Sequence, residues 1–302
     1  MYWQRLGKVF TLDSSHPLMR SHSSNPTPYQ IDTQTFRIFF STRNIENRSS
    51  VSFFDLDIES LEIKNIAKDP LISFQVDTFY SHGISIGCIY QKPNEQIFLT
   101  FMGWHIPKDS HWMGYLGEME LQKSLTVSDI PKHPIIFPEP NIDPISISYA
   151  DIILDQDTYY MFYGSTITWD AGNQEMIHVI NVATSKDTQH WEKHGLAVPY
   201  HKNKIQAFSR PTIIKIDDTW HMWFSYRGGN GDKYKIGHAK TTNLLSWDLD
   251  LENASLYANP NAAWESEMVE YPYVFEYQNE IYMLYNGNSY GKTGIGLAKL
   301  VL

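Results

Sequence analysis

A chain with a single cysteine cannot form an internal disulfide, and Cys88 is the only one among these 302 residues. The N-terminal stretch MYWQRLGKVF has no long apolar core, so it does not read as a secretory signal, and a cytoplasmic protein is expected. No run of about 18 apolar residues occurs, so no membrane insertion is expected. Positive charge is scarce: 24 Lys and Arg face 34 Asp and Glu, for a net charge of −10. That balance disfavours nucleic acid, whose phosphates need a basic surface, and anionic membranes for the same reason. Zinc-protease and paired-histidine spacings, a phosphate-cradling glycine loop and a serine at a strand-to-helix elbow are all missing. Neither a metal nor a cofactor is expected. Sustained helical periodicity is missing as well.

What the chain has in quantity is aromatic side chains, 14% of all residues, a density that suits stacked sheets and ligands with flat apolar faces such as sugars. They recur with a period. FRIFFSTR, IFLTFMGW, YYMFYGST, WHMWFSYR and IYMLYNGN share one pattern, and their key aromatics Phe40, Phe101, Tyr163, Phe224 and Tyr285 are spaced by 61, 62, 61 and 61 residues. Each unit reads as strands separated by turns, such as PTIIKI, then DDT, then the aromatic strand, then IGHAKT. In two units an alanine precedes a tryptophan by eight residues, Ala183 to Trp191 and Ala239 to Trp247, and that tryptophan opens a fourth strand. Four antiparallel strands repeated five times predict an all-β, five-bladed β-propeller forming one domain over residues 1–302. The alternative is a β-sandwich with chance spacing. The last unit ends after its third strand, whereas WQRLGKV from Trp3 matches WEKHGLAV from Trp191, so the N-terminal strand is expected to complete the last blade.

In such a fold the start of each first strand and the end of each second strand meet at one funnel. The second-strand exits supply Arg43, Trp104, Trp169, Arg227, Asn288 and Tyr290. The first-strand starts supply His22, Asn25, His82, Asp151, Arg210 and Glu270, with Asp77 ahead of the second blade and Glu265 and Glu267 just before Glu270. Polar anchors beside aromatic platforms are the composition of a ligand site. Strand alternation separates Glu270 from Glu265 and Glu267, although a one-residue shift of register would reverse the choice. Glu265 reads as a surface residue. Three arginines and two histidines in an otherwise acidic chain predict an anionic ligand: a sugar acid, a sugar phosphate or a sugar nucleotide.

The patterns RP…MWFSYRG…YKIGHAKT…W and YP…IYMLYNGNSYGKTGIGLAK resemble the five-bladed propeller clan of arabinanases, invertases, levansucrases and mannosyl-glycan phosphorylases. Within it the chain looks like a glycosidase-like branch found among bacterial surface-polysaccharide biosynthesis genes. The resemblance implies two carboxyl groups across a scissile glycosidic bond. Glu270, in EYP, matches the clan's Glu-x-Pro proton donor, while Asn25 stands in NP where the clan carries an acid. Asp151 is then the first candidate for the ionised partner and Asp77 the second, with Glu267 a further carboxylate candidate. Three functions follow. The chain cleaves or transfers a glycosyl group, or is a phosphorylase in which Arg210, Arg227 and His82 hold phosphate, or binds a sugar or sugar nucleotide without catalysis. Oligomeric state has no signature in the sequence.

Overall fold

The computed structural model describes residues 1–127 and 131–302. Nearly all regular structure is strand. The strands form five antiparallel sets that follow the sequence repeat. The first holds β2 (Ser21–Gln30), β3 (Thr35–Arg43), β4 (Ser49–Asp57) and β5 (Ile63–Ile66). The second holds β6 (Gly83–Gln91), β7 (Ile97–His105) and β8 (Met113–Glu120). The third is β9 (Ser146–Asp155), β10 (Thr158–Thr168), β11 (Ile177–Ser185) and β12 (Glu192–Leu196). The fourth is β13 (Ala207–Ile216), β14 (Thr219–Arg227), β15 (Lys235–Thr241) and β16 (Asp248–Leu249). The fifth joins β17 (Glu270–Tyr277), β18 (Glu280–Asn286) and β19 (Ile295–Val301) to β1 (Tyr2–Phe10) from the other end of the chain. That last pairing sets Trp3 opposite Leu300 and Gly7 opposite Leu297.

The leading strands β2, β6, β9, β13 and β17 touch in cyclic order, β17 returning to β2. An apolar core fills each junction between neighbouring sets. The periodic aromatics supply these cores, and Phe40, Phe101, Tyr163, Phe224 and Tyr285 are completely buried. Trp247 meets Phe162 of the preceding set edge-on at 5.5 Å, and Trp3 meets Trp223 in the same way at 5.3 Å. Burying side chains of this size stabilises by about 1.5–3 kcal/mol each or more, which makes the tryptophan pattern a packing signal.

One feature of the leading strands was hidden in the sequence. Each carries a β-bulge, at Asn25, Gly87, Tyr149, Arg210 and Tyr271, positions that repeat with the same period as the aromatics. Asn25, Tyr149, Arg210 and Tyr271 take φ of 56°, 27°, 48° and 52°, a left-handed backbone unusual for residues with side chains. Pro26, Pro211 and Pro272 follow three of them. A bulge removes a ladder hydrogen bond, so a proline without an N–H fits there, and the local twist re-aims the neighbouring side chains. The bulges decide which residues face the central hollow.

Candidate functional site

A cavity of about 350 Å³ opens where the leading strands begin. Its wall is unusually rich in hydroxyls: Ser24, Ser41, Ser49, Ser85, Ser148 and Ser209, all buried, from five different leading or second strands and β4. Aromatic rings supply much of the rest of the wall, among them Trp104, Trp112, Tyr149 and Tyr271. Two glycines make room for the polar contacts. A Cβ on Gly83 would lie 2.1 Å from Ser49 Oγ and 2.3 Å from Trp104 Nε1, and these two atoms form a 2.8 Å hydrogen bond. A Cβ on Gly164 would collide in the same way with Ser148 and His178, whose Oγ and Nε2 are 2.8 Å apart. His178 also contacts Thr166 Oγ1 through Nδ1 at 2.8 Å, and burial lowers its pKa to about 4, so the ring is neutral.

Among the residues singled out from the sequence, Asn25, Arg43, Trp104, Arg227 and Tyr290 line this cavity. Arg227 is held on three sides. Its Nη2 donates to Glu175 Oε1 at 3.0 Å, and its Nε lies 2.7 Å from Oε2, an approach too oblique for a second hydrogen bond. Its Nη1 donates to the Tyr290 hydroxyl at 3.3 Å, and its guanidinium lies over the Tyr234 ring at 4.5 Å. Tyr290 reaches the wall on a left-handed turn with φ of 60°.

Glu270 stands directly behind the wall. Its charge interacts with Arg43 and Arg227, and Tyr234 and Tyr271 sense it in turn; all four line the cavity. The side chain is completely buried, and no side chain hydrogen-bonds to either carboxyl oxygen among the described residues; the Tyr290 backbone N–H lies close enough to favour the ionised form but not in good hydrogen-bond geometry. Burial raises its pKa well above the ordinary value against the pull of Arg227, Arg43 and the Tyr290 backbone, which favours the protonated acid.

Other expected residues lie elsewhere. Asp151 and Arg210 are in the axial core. Arg210 donates from Nη1 to Tyr271 O and from Nη2 to Pro26 O, Thr27 Oγ1 and Gly87 O, which ties the fourth set to the fifth, first and second. The bulge at Arg210 turns its side chain away from the ligand side, so it is a clamp and not an anion anchor. Asp151 Oδ2 accepts the Ile213 N–H at 2.7 Å; burial raises its pKa to about 6 while Ile213 and Arg210 oppose the shift. Glu267 and Asp77 are exposed on the approaches to their strands and reach neither the cavity nor Glu270. Glu265, read as a surface residue, is buried and paired with Arg5 at 3.1 Å. His22 and His82 are off the wall, His22 near Arg43 and His82 beside Trp104 with ring centroids 6.0 Å apart. Trp169 is a layer back, edge-on to Trp112 at 4.8 Å. Asn288 is occupied structurally, its Oδ1 accepting the Glu267 and Met268 N–H groups.

Sequence reasoning missed Glu175, the serines, His178, Tyr234 and the two bulge tyrosines. The NP, RP and YP dipeptides coincide with three of the bulges, although the sequence alone did not show them as such, and nothing local marks Glu175, which meets Arg227 only through the fold. Among the described residues, no cluster of His, Cys, Asp or Glu is suited to a metal ion.

No family model matches the chain. It is 32% identical over 303 residues, covering 99% of both chains, to Uncharacterized protein Rv1502 of Mycobacterium tuberculosis strain H37Rv, and equally to Uncharacterized protein MT1551 of strain CDC 1551. The chain belongs to the family of these mycobacterial proteins. Among solved structures it resembles a glycoside hydrolase with a TM-score of 0.75 at 13% identity, covering 98% of this chain and 91% of that one. It also resembles a member of the GH130 family of mannoside phosphorylases and glycoside hydrolases, with a TM-score of 0.69 at 12% identity, covering 98% and 93%. At such identities the likeness is one of fold: a nearly all-β, glycoside hydrolase-like propeller.

Proposed function

We propose that the five strand sets are the blades of a closed five-bladed propeller, forming one domain, and that its cavity takes a sugar carrying an anionic group and cleaves or transfers a glycosyl bond, with Glu270 as the acid. The observation that carries this reading is Glu270 itself: a completely buried carboxyl without a side-chain partner, its pKa raised by burial, behind a wall of hydroxyls and aromatic rings. A group kept protonated beside two guanidiniums is suited to releasing a leaving oxygen. The cavity wall carries no Asp or Glu among the described residues, and Asp151 is committed to the axial core. Water attacking a sugar carbon would therefore have no carboxylate base, and the one imidazole on the wall, His178, already holds Ser148 and Thr166. The geometry favours an acceptor that brings its own negative charge, such as inorganic phosphate or an ionised co-substrate, over hydrolysis by two carboxylates. The wider setting we propose, surface-polysaccharide metabolism in the cytoplasm, rests on the sequence resemblance and the single cysteine.

That same carboxylate-free wall also favours a second reading, a propeller that binds an anionic sugar or sugar nucleotide without catalysis. One experiment separates the two. Sugar phosphates, uronic acid glycosides and nucleotide sugars are screened by thermal shift, and stabilising ligands are incubated with and without phosphate while products are followed by mass spectrometry. Catalysis through Glu270 is expected to give product with the wild type and none with Glu270→Gln, which still binds. Unchanged binding with no product from either protein leaves the binding reading.

A further inference from the structure

We propose that the first strand set carries a dedicated oxyanion subsite, formed by Arg43, Asn25, Ser41 and Ser49, that takes a phosphate or carboxylate group at one side of the cavity. This deepens the reading that the cavity takes an anionic carbohydrate, and it rests on that reading. All four residues line the cavity. Strand register brings them together: Arg43 on β3 lies directly opposite Ser49 on β4, Ser41 is two residues before Arg43 and so on the same strand face, and Ser24, beside Asn25, is opposite Ser41.

Their hydrogen-bonding states all point one way. Asn25 is 1% exposed, and its side-chain nitrogen has no partner among the described residues. Such an amide turns about its last bond at little cost to meet an acceptor. Ser41 Oγ already accepts the Ile86 N–H at 3.0 Å, and Ser49 Oγ accepts Trp104 Nε1–H at 2.8 Å. Each hydroxyl therefore has its own proton free to donate. Arg43 forms no ion pair within 4 Å among the described residues, whereas Arg227 across the cavity is neutralised by Glu175. Three donor groups without acceptors, Asn25, Ser41 and Ser49, around one guanidinium without an ion pair among the described residues, fit a group that is all acceptor and negatively charged. Arg43, and not Arg227, is the anchor. The neutral state of Glu270 beside Arg43 keeps a competing carboxylate out of the subsite.

The group can arrive as free phosphate or as part of the sugar, and the test separates these sources. Sulfate, phosphate, a sugar phosphate and its neutral parent sugar are titrated calorimetrically into wild type, Arg43→Ala, Arg43→Lys and Asn25→Ala, with melting temperatures confirming folded protein. Sulfate and phosphate are expected to bind the wild type, at least tenfold more weakly to Arg43→Ala and severalfold more weakly to Asn25→Ala, with partial rescue by Arg43→Lys. If phosphate strengthens neutral-sugar binding, the subsite serves a free anion; if it competes with the sugar phosphate and not with the neutral sugar, the group belongs to the sugar. Anion binding within twofold of wild type in Arg43→Ala, or no anion binding by the wild type, overturns the subsite. Arg43-dependent sulfate binding without any sugar binding leaves the subsite standing and overturns the carbohydrate reading instead.

Discussion

Replacing Glu270 by glutamine removes a titration without changing shape, and its effect on stability can be worked out in sign and size. Because the carboxyl is buried without a partner, its folded pKa is raised above the ordinary 4.5. The folded chain therefore holds a proton that the unfolded chain releases above that pH. The stabilisation associated with that proton is complete below 4.5 and is lost as pH rises toward the folded pKa. The slope approaches about 1.4 kcal/mol per pH unit wherever the unfolded carboxyl is ionised and the folded one is still protonated, so the wild type should lose stability relative to Glu270→Gln as pH rises from 5 toward the folded pKa. Neutral buried histidines act in the opposite direction: His22, His178 and His238, with pKa values lowered to about 4, favour the folded state as pH rises toward 6.5. They are common to both proteins and cancel in the difference. The assay is urea unfolding followed by tryptophan fluorescence at half-unit steps from pH 5 to 7.5, plotted as the difference between the two proteins. Parallel stability curves would show that Glu270 is ionised in the fold, and the acid role would go with them.

Three further perturbations probe separate parts of the molecule. Arg210→Leu leaves the Tyr271 and Pro26 carbonyls without this donor, Gly87 O with only the Thr27 hydroxyl, and Asp151 without its countercharge, and should cost about 3–5 kcal/mol in urea unfolding; Arg210→Lys should recover little, since one ammonium cannot serve carbonyls on three sets, and recovery to within 1 kcal/mol would refute the clamp. Trp3→Ala should cost about 3–5 kcal/mol by opening the junction beside Trp223, most of it from packing, because Ala254 O keeps its 2.8 Å hydrogen bond from Trp223. Glu175→Gln should free Arg227 and strengthen sulfate binding severalfold in calorimetry, whereas unchanged affinity would mean that Arg227 does not sense the cavity anion.

The sequence showed the repeat because a repeated packing problem has a repeated solution: each junction needs a large aromatic at the same height, and the same types recur at Phe40, Phe101, Tyr163, Phe224 and Tyr285. Alternation did not sort the neighbouring glutamates: Glu265 and Glu267 share a parity, yet Glu265 is buried like Glu270 and Glu267 is exposed, because both precede β17 and do not follow a strand's alternation. The direction of the other side chains was not legible. Reading regular strands places Arg210 at the cavity, but the bulge between Ser209 and Thr212 sends it into the axis and leaves Ser209 on the wall. Loop residues were equally opaque. Asp77 and Glu175 both precede strands, yet only Glu175 meets an arginine from another set, a contact set by how neighbouring sets approach and not by local pattern.

Two layers with different tasks emerge from the bulges. On the axial side, Arg210 uses its donors on backbone carbonyls, and Asp151 uses an oxygen on the Ile213 N–H. Charge there is tied up in joining the sets, and the clamp geometry leaves no group to attack or activate a ligand. On the ligand side the balance reverses: donors at Asn25, Ser41, Ser49 and Arg43 lack acceptors among the described residues, while burial raises the pKa of Glu270 behind the wall and Glu175 is paired with Arg227. A chain that is acidic overall thus presents a cavity wall of positive and hydrogen-bond-donating character. If the cavity breaks a glycosidic bond as proposed, the absence of a carboxylate from its described wall means that the attacking negative charge has to come from the ligand or co-substrate, and the proposed subsite beside Arg43 is where that charge would be held.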